Sequence, residues 1–287
     1  MPELIWLNHI PPLFISLLVI PFAFLWQYSG YCLLSKISKY FLIQNINQKN
    51  ILFQINWLCW PFLSGAAVLL MLLMGVGTRW LFIVLALGIL SIGLVNLVQI
   101  ASKDIKNRAK EFLNFKEQNK KYFYFNVLCF LGILLLGIFA AHPQRQFDQL
   151  NYHLPLSKLI INSGLGSLAE IFRNSFDFHI RMTGIFEYAL VLPRALFNHD
   201  LFQVAFAQFW IFILSIPFLL SSLKFFNSIQ SDSDKKQRSK LLIGFLFVIL
   251  IFFPNSESLR IVKPDIFMFF FTLLALEIMY QDRKSVV

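Results

Sequence analysis

The sequence has few charged residues and three isolated cysteines, and both shortages exclude broad classes of protein. Asp, Glu, Lys and Arg together make up 14% of the 287 residues, whereas 57% are hydrophobic and 34 are phenylalanine. A soluble protein of this length could not bury so much apolar surface, so the class is integral membrane protein. Cys32, Cys59 and Cys129 form no close-spaced pair. Neither a disulfide framework nor a cysteine metal site is therefore predicted.

Long apolar runs are what the sequence does contain. A helix that crosses ~30 Å of hydrocarbon needs roughly 20 apolar residues. By that measure there are about seven spans, near 11–28, 57–76, 80–100, 122–141, 201–222, 241–253 and 265–280. The runs are too long and continuous for barrel strands, and backbone groups in lipid must be satisfied within their own segment. We therefore predict an all-α membrane protein. Its first run opens on Pro11 and Pro12 without a preceding basic segment, unlike a cleavable signal.

The net charge of +10 follows the predicted topology. Seventeen of the 25 basic residues lie in segments that alternate on one side of the spans, namely 29–56, 101–121, 223–240 and the C-terminal end. The positive-inside rule assigns these segments to the cytoplasm. The N-terminus, the 77–79 turn and the segments 142–200 and 254–264 are then outside. Because topology accounts for the basic residues, no nucleic-acid partner is expected.

The outside segment 142–200 is far longer than an ordinary connector, and long loops of this kind are usually functional. Its early part, FDQLNYHLP (147–155), places Asp148, Tyr152 and His153 just after the fourth predicted span. Each of these residues has a structural alternative. Asp148 could solvate the end of a span or cap the next helix, Tyr152 could anchor in the interface, and His153 could form an interfacial hydrogen bond.

Two short interfacial helices, which lie at the membrane surface, are predicted later in the same loop. LPLSKLIINSG (154–164) has the pattern of an amphipathic helix that ends at a glycine. GIFEYALVLPRALF (184–197) is apolar but has 14 residues, which favours an interfacial or re-entrant helix over a span. Glu187 and Arg194, seven residues apart, would share one face of that helix. A carboxylate in such a segment is costly unless it faces water, a cation or a site.

Cationic side chains also gather outside, where they are normally scarce. The outside cations are Arg79, Arg145, Lys158, Arg173, Arg181, Arg194, Arg260 and Lys263. Surface solvation explains some of them, but a phosphate-bearing ligand at the outer interface explains the cluster better. Asp265 opens the seventh predicted span, where an acid also complements the helix dipole for structural reasons.

Three stretches carry a resemblance to a known family. FDQLNYHLPLSKLIINSG (147–164) resembles the first external loop of bacterial GT-C-type membrane glycosyltransferases, a group that includes protein mannosyltransferases and lipid A aminoarabinose transferases. GIFEYALVL (184–192) is similar to the Glu-bearing second loop helix of one branch, and VKPDIFMFFFTLLAL (262–276) to a later span. The resemblance covers roughly residues 122–280. It implies sugar transfer from a polyprenyl-phosphate donor to a lipid, glycan or protein acceptor, at the non-cytoplasmic face of a bacterial inner membrane.

The resemblance also implies roles for individual residues. Asp148 would be the catalytic carboxylate, acting as general base or orienting the acceptor. The residues implied to contact substrate are Tyr152, His153, Lys158, Glu187, Arg194, Lys263 and Asp265. The leaving lipid phosphate needs stabilisation by cationic side chains or by a divalent cation, and the sequence leaves this choice open.

Two departures from the family pattern shape the expected organisation. In the family this loop commonly follows the first span, whereas here three additional spans come before the span at 122–141 that leads into it. Residues 1–121 are therefore expected to form an N-terminal three-span region with a cytoplasmic basic loop, and 122–287 the GT-C-like module. The chain ends soon after the span that starts at Asp265, so we expect a truncated product or half of a split enzyme, whose partner chain supplies further helices.

The alternative class is a non-catalytic membrane protein, such as a transporter, a lipid flippase or an assembly subunit. A transporter should place ionisable groups near the middle of its spans. In this sequence the predicted span centres are almost free of charge, and the ionisable groups gather at the external edge. This distribution favours chemistry on a lipid-linked substrate at the membrane surface.

Overall fold

The computed structural model describes residues 12–41, 49–118, 155–164, 166–174 and 185–229. Within them the chain is all-helical. The helices are α1 (Pro12–Phe41), α2 (Lys49–Leu73), α3 (Arg79–Gln118), α4 (Pro155–Ser163), α5 (Leu168–Asn174), α6 (Ile185–Ala189), α7 (Val191–Leu196) and α8 (Asp200–Ile229). Stretches in α1, α2 and α3 are long and apolar enough to cross a membrane: Phe14–Ser38, Leu52–Leu73 and Arg79–Ala101. The chain is an integral membrane protein.

The first three predicted spans correspond to these stretches of α1, α2 and α3. The fifth predicted span, 201–222, lies in α8. The side chains of α8 are described up to Leu214, and the apolar part that they cover, Asp200–Leu214, is shorter than a membrane span. The predicted spans 122–141, 241–253 and 265–280 lie outside the described residues. Seven spans therefore remains a prediction.

Two segments predicted as basic loops are in part continuations of helices. α1 runs on to Phe41 and so includes Lys36 and Lys39, and α3 runs on to Gln118 through most of 101–121. The extension of α3 beyond Ala101 contains four Lys, one Arg and two Glu, which are strong helix formers. Hydropathy predicts only the part of a helix that lies in the bilayer. The helix itself continues until its backbone N–H and C=O groups find other hydrogen-bond partners.

The turn between α2 and α3 is closed by hydrogen bonds at both helix ends. Gly75 has φ 73°, its N–H donates to Leu72 O at 3.2 Å, and Val76 N–H donates to Met71 O at 3.0 Å. This pair of bonds is the Schellman ending of a helix, and glycine adopts that φ without strain. Thr78 then caps α3, since its Oγ1 accepts from Leu81 N–H at 3.4 Å. The end of the bundle that contains residues 74–78 is called the turn end below.

Side-chain contacts give the relative direction of the helices. Trp26 of α1 packs on Trp60 of α2 and Tyr31 on Phe53, so these helices run antiparallel. Phe22 of α1 packs on Phe202 and Phe206 of α8, and five residues further on Gln27 accepts a hydrogen bond from Trp210. Because both helices advance together, α1 and α8 are parallel.

Several chain segments meet at the turn end. Gly77 N–H donates to Gly166 O at 3.0 Å, which places the α4–α5 connection there. Asp200, the first residue of α8, contacts Lys158 of α4, so α8 begins at this end, as does its parallel neighbour α1. The structure thus brings the start of α1, the 77–79 turn and part of 142–200 to one side, as the charge distribution predicts; which side of the membrane it is remains a prediction.

One hydrophobic cluster joins the described residues on both sides of position 121. It includes buried side chains from all eight helices, and its large, fully buried members include Trp26, Phe82, Phe186 and Trp210. The proposed boundary between residues 1–121 and 122–287 stays a prediction. In the part of the chain that is described, the two sides share one core.

Replacing Gly65 by alanine should destabilise the bundle. A methyl group on Gly65 of α2 would overlap the carbonyl oxygen of Ile185, the first residue of α6, and overpacking of this kind costs about 1–3 kcal/mol. Gly88→Ala in α3 is the matched control, because nothing lies within 4 Å of its added methyl group. Thermal unfolding in detergent should show a lower midpoint for Gly65→Ala and no loss for Gly88→Ala. Equal midpoints would contradict the packing of α6 on α2.

Thiol labelling in intact cells tests the topology. In a variant without the three native cysteines, Ser167→Cys and Met74→Cys should both react with a membrane-impermeant reagent, because the Gly77–Gly166 hydrogen bond places them at the same end. Cysteines at positions 108 and 235, in segments assigned to the cytoplasm, should be protected. The reverse pattern would move the turn end to the cytoplasm and overturn every external assignment.

Candidate functional site

The structure describes three of the eight residues that the sequence selects for the site, namely Lys158, Glu187 and Arg194. The other five lie outside the described residues: Asp148, Tyr152, His153, Lys263 and Asp265. The described part of the site consists of the helix at the end of the FDQLNYHLP stretch and of the side chains that meet it.

Helix α4 follows that stretch directly and lies against the bundle. It begins at Pro155, whose fixed φ suits the first helical position, and Gly164 with φ 65° follows its last residue. The helix predicted over 154–164 is therefore present. Leu156 and Ile160 are buried and Lys158 is exposed, which is the amphipathic pattern that the sequence predicts.

Three polar contacts fasten α4 to the segment around the start of α8. Lys158 Nζ donates to Asp200 Oδ2 at 2.6 Å. Gln203 Nε2 donates to Ser157 Oγ at 3.1 Å, and to Leu190 O at 3.0 Å. The third contact, Asn198 Nδ2 to Asn162 Oδ1 at 2.9 Å, lies on the exposed side. A helix of nine residues is marginal in isolation, so these contacts and its buried apolar face hold α4 in place.

The segment predicted as one helix over 184–197 is two short helices, α6 and α7, separated by a turn at Leu190. The physical reason is Pro193, which has no N–H to donate to the carbonyl of Ala189 and whose ring crowds that carbonyl. The chain still turns tightly, because Leu190 N–H donates to Glu187 O and Arg194 N–H to Leu190 O, each at 3.2 Å. Glu187 and Arg194 therefore belong to different helices.

Both short helices are enclosed by the bundle. Every residue from 186 to 195 is buried, with α6 against α2 and α7 against α3. Ile185 contacts Gly65, which is eight residues before the end of α2, or about 12 Å along its axis. Phe186 lies 5.5 Å from Trp210, ring centre to ring centre. In the described part of the chain, α6 and α7 are therefore packed within the helical bundle. Whether this segment is interfacial or re-entrant in the membrane stays a prediction.

Asp200 is the centre of a three-member ion network at the turn end. Its Oδ2 accepts from Lys158 of α4, and its Oδ1 accepts from Arg194 Nη2 of α7 at 2.6 Å. The Arg194 side chain is 2% exposed, whereas those of Lys158 and Asp200 are 47% and 50% exposed. The network therefore connects a buried cation to the surface through one carboxylate.

The two cations also set the protonation of Asp200. Burial raises the pKa of Asp200, but the hydrogen bonds and charges of Lys158 and Arg194 outweigh it, so the pKa lies below its usual value. Half-exposed ion pairs are weak, at about 0–1 kcal/mol. Removing a carboxylate that a buried guanidinium contacts costs more, so the Arg194 contact contributes more to the energy of the network than the Lys158 contact.

Sequence reasoning missed Asp200 and Gln203. The available signal was an acid at the start of a predicted span, six residues after an arginine and following a long apolar segment. An acid at a helix start is already explained by the helix dipole, so the sequence gives no reason to expect that it also contacts distant residues. His199 completes this helix start, because its Nδ1 accepts from Phe202 N–H at 3.3 Å.

Glu187 is 2% exposed and lies in α6, next to the contact with Gly65. Its predicted contact with substrate stays a prediction. In the described part of the chain, no group of three or more His, Cys, Asp or Glu side chains could hold a metal ion. Whether a divalent cation or cationic side chains would stabilise the leaving phosphate therefore stays open in the part of the chain that is described.

Comparisons with protein-family models, curated proteins and solved structures give no match. The chemistry has to be inferred from the residues themselves.

The stability that Asp200 supplies should depend on pH. Because its pKa is lowered on folding, the contribution is present above the unfolded value of about 4 and is lost as the pH falls through the lowered value. Charge-assisted hydrogen bonds contribute about 1.5–3 kcal/mol, and half exposure reduces this to roughly 1 kcal/mol. Asp200→Asn should therefore unfold at a lower temperature than wild type at pH 7, with the gap closing below about pH 4.

The exposed Glu170 of α5 provides the control for this series. Glu170→Gln removes one carboxylate from the same end of the molecule, and it should leave the midpoint of thermal unfolding unchanged at pH 7. A gap between Asp200→Asn and wild type that persists unchanged at pH 3 would show that the ion pairs do not cause it.

Proposed function

We propose that the chain transfers a sugar from a polyprenyl-phosphate donor to a lipid, glycan or protein acceptor at the non-cytoplasmic face of the membrane, as GT-C-type glycosyltransferases do. The observation that carries the proposal is the position of α4. This helix follows FDQLNYHLP without a break in the sequence, and polar contacts to Asn198, Asp200 and Gln203 hold it at the turn end. The stretch with Asp148 therefore leads directly into a fixed, cation-bearing helix.

The chemistry needs two kinds of group at a boundary between water and lipid. An acceptor hydroxyl that attacks an anomeric carbon needs a base within hydrogen-bond reach, and Asp148 has this role in the proposal. The lipid phosphate that leaves needs positive charge. Lys158 is half-exposed, so it is a described cation that an anionic group arriving from the surface could meet.

Neutral polar groups inside the spans support surface chemistry over transport. Gln27 donates from Nε2 to Trp57 O at 2.7 Å and accepts from Trp210 Nε1 at 2.7 Å. Asn56 Nδ2 donates to Ser38 Oγ at 3.2 Å. Such pairs join helices to one another, and they carry no charge that would follow a translocation path.

One observation favours the second candidate, a non-catalytic membrane protein such as a transporter. The carboxylate of Glu187 is enclosed beside the inner part of α2, and an ionisable residue within a membrane bundle is often part of an ion or substrate path. The two functions differ in which carboxylate is essential. Transfer at the surface requires Asp148, whereas transport through the bundle would require Glu187.

Asp148→Asn should abolish transfer without preventing folding. The amide keeps the size of the side chain but cannot accept a proton, and general bases contribute typically 10²–10⁴-fold in rate. In cells that lack the native gene, with any partner chain present, this variant should reach the membrane in normal amount, as measured by immunoblot. The glycan or lipid modification should be lost. Tyr152→Phe should have a smaller effect, because it keeps the aromatic ring.

Glu170→Gln is the matched control, since it removes an exposed carboxylate at the same end of the molecule, and it should complement fully. Full complementation by Asp148→Asn would disprove the catalytic role. If Glu187→Gln then abolished function while Asp148→Asn did not, the transporter would be the better description.

A further inference from the structure

The network around Asp200 joins parts of the chain that are far apart in sequence. Arg194 and Asp200 both belong to the packed bundle, through α7 against α3 and α8 against α1. Lys158 lies on α4, 42 residues before Asp200. Two members are therefore fixed by extensive packing, and the third is on the short helix that follows FDQLNYHLP.

The geometry at the carboxylate makes Asp200 hard to replace. Arg194 uses Oδ1 and Lys158 uses Oδ2, each at 2.6 Å, so both oxygens are needed as acceptors. An asparagine has one acceptor oxygen, and its NH₂ group would face a cation in place of the other. The amide is therefore a sharp probe, because it must lose one of the two contacts.

We propose that Asp200 is a positioning residue, which fixes α4 against the bundle and thereby sets the position at which the Asp148-bearing stretch ends. Arg194 orients the carboxylate from the buried side, and Lys158 is held by it on the surface side. The effect on transfer rests on the proposed function. The anchoring of α4 does not, and it is measured separately.

Cross-linking reports the anchoring directly. Asn162 of α4 and Asn198 are in hydrogen-bond contact at 2.9 Å, so cysteines at these two positions, in a chain without the native cysteines, should be joined by a short bifunctional thiol reagent. These replacements remove one anchor of α4 and make its position depend more strongly on Asp200. The cross-linked peptide is quantified by mass spectrometry in membranes.

Asp200→Asn should lower the yield of cross-link several-fold, and Asp200→Glu, which keeps two acceptor oxygens, should restore most of it. Glu170→Gln should match the parent. In the complementation assay, on the chain with its native cysteines and asparagines, Asp200→Asn should reduce the modification, Asp200→Glu should recover it in part, and the membrane level should be unchanged.

Asp200→Asn removes a carboxylate from the buried Arg194, so a second variant separates the anchoring of α4 from any effect on folding. The double variant Arg194→Gln/Asp200→Asn removes both charges of that pair and should accumulate normally, yet it should still show the low cross-linking yield. Parent-level cross-linking in this variant would overturn the proposal. Two results with Asp200→Asn would also overturn it. One is a loss of transfer while the yield of cross-link is unchanged, and the other is a loss of cross-link while the variant complements fully. Complementation by Asp148→Asn would instead count against the proposed function and leave the anchoring result standing.

Discussion

The side-chain amide of Gln27 is the interaction on which the arrangement of the long helices depends. Inside an apolar bundle an amide without partners is costly, and this one is satisfied by two other helices, through the carbonyl of Trp57 in α2 and the indole of Trp210 in α8. Trp57 in turn donates from Nε1 to Ile213 O of α8 at 3.3 Å. These bonds fix the axial register of three helices, which apolar packing would leave free to slide.

The register of α8 decides what meets at the turn end. With Trp210 fixed beside Gln27, the start of α8 lies about 15 Å away along its axis, where Asp200 reaches Lys158 and Arg194. Gln203, one turn further into α8, bonds both α4 and the turn at Leu190. The polar contacts in the middle of α8 therefore fix the position of its first turn. That turn in turn holds α4, which follows FDQLNYHLP, and the enclosed helices α6 and α7.

Periodicity and hydropathy predicted the parts of this fold that depend on local sequence. The first three spans and the amphipathic helix α4 with its terminal glycine are visible in the sequence, because apolar length, face and capping residues are local properties. Other features are decided by distant residues. The enclosure of 186–195 depends on Gly65, which is more than a hundred residues earlier and leaves room for Ile185. The role of Asp200 depends on Lys158, and no spacing rule connects residues that meet through tertiary packing.

The enclosed position of α6 and α7 also changes what their charged residues can do. On a surface helix, Glu187 and Arg194 would both meet water, and either could bind a ligand directly. In the bundle, Arg194 is 2% exposed and its guanidinium ends on a carboxylate that is half-exposed. Its charge therefore acts on the surface through Asp200, which it keeps ionised and oriented. A buried arginine of this kind acts by ordering the group in front of it, whereas the ammonium group of the half-exposed Lys158 is accessible from solution.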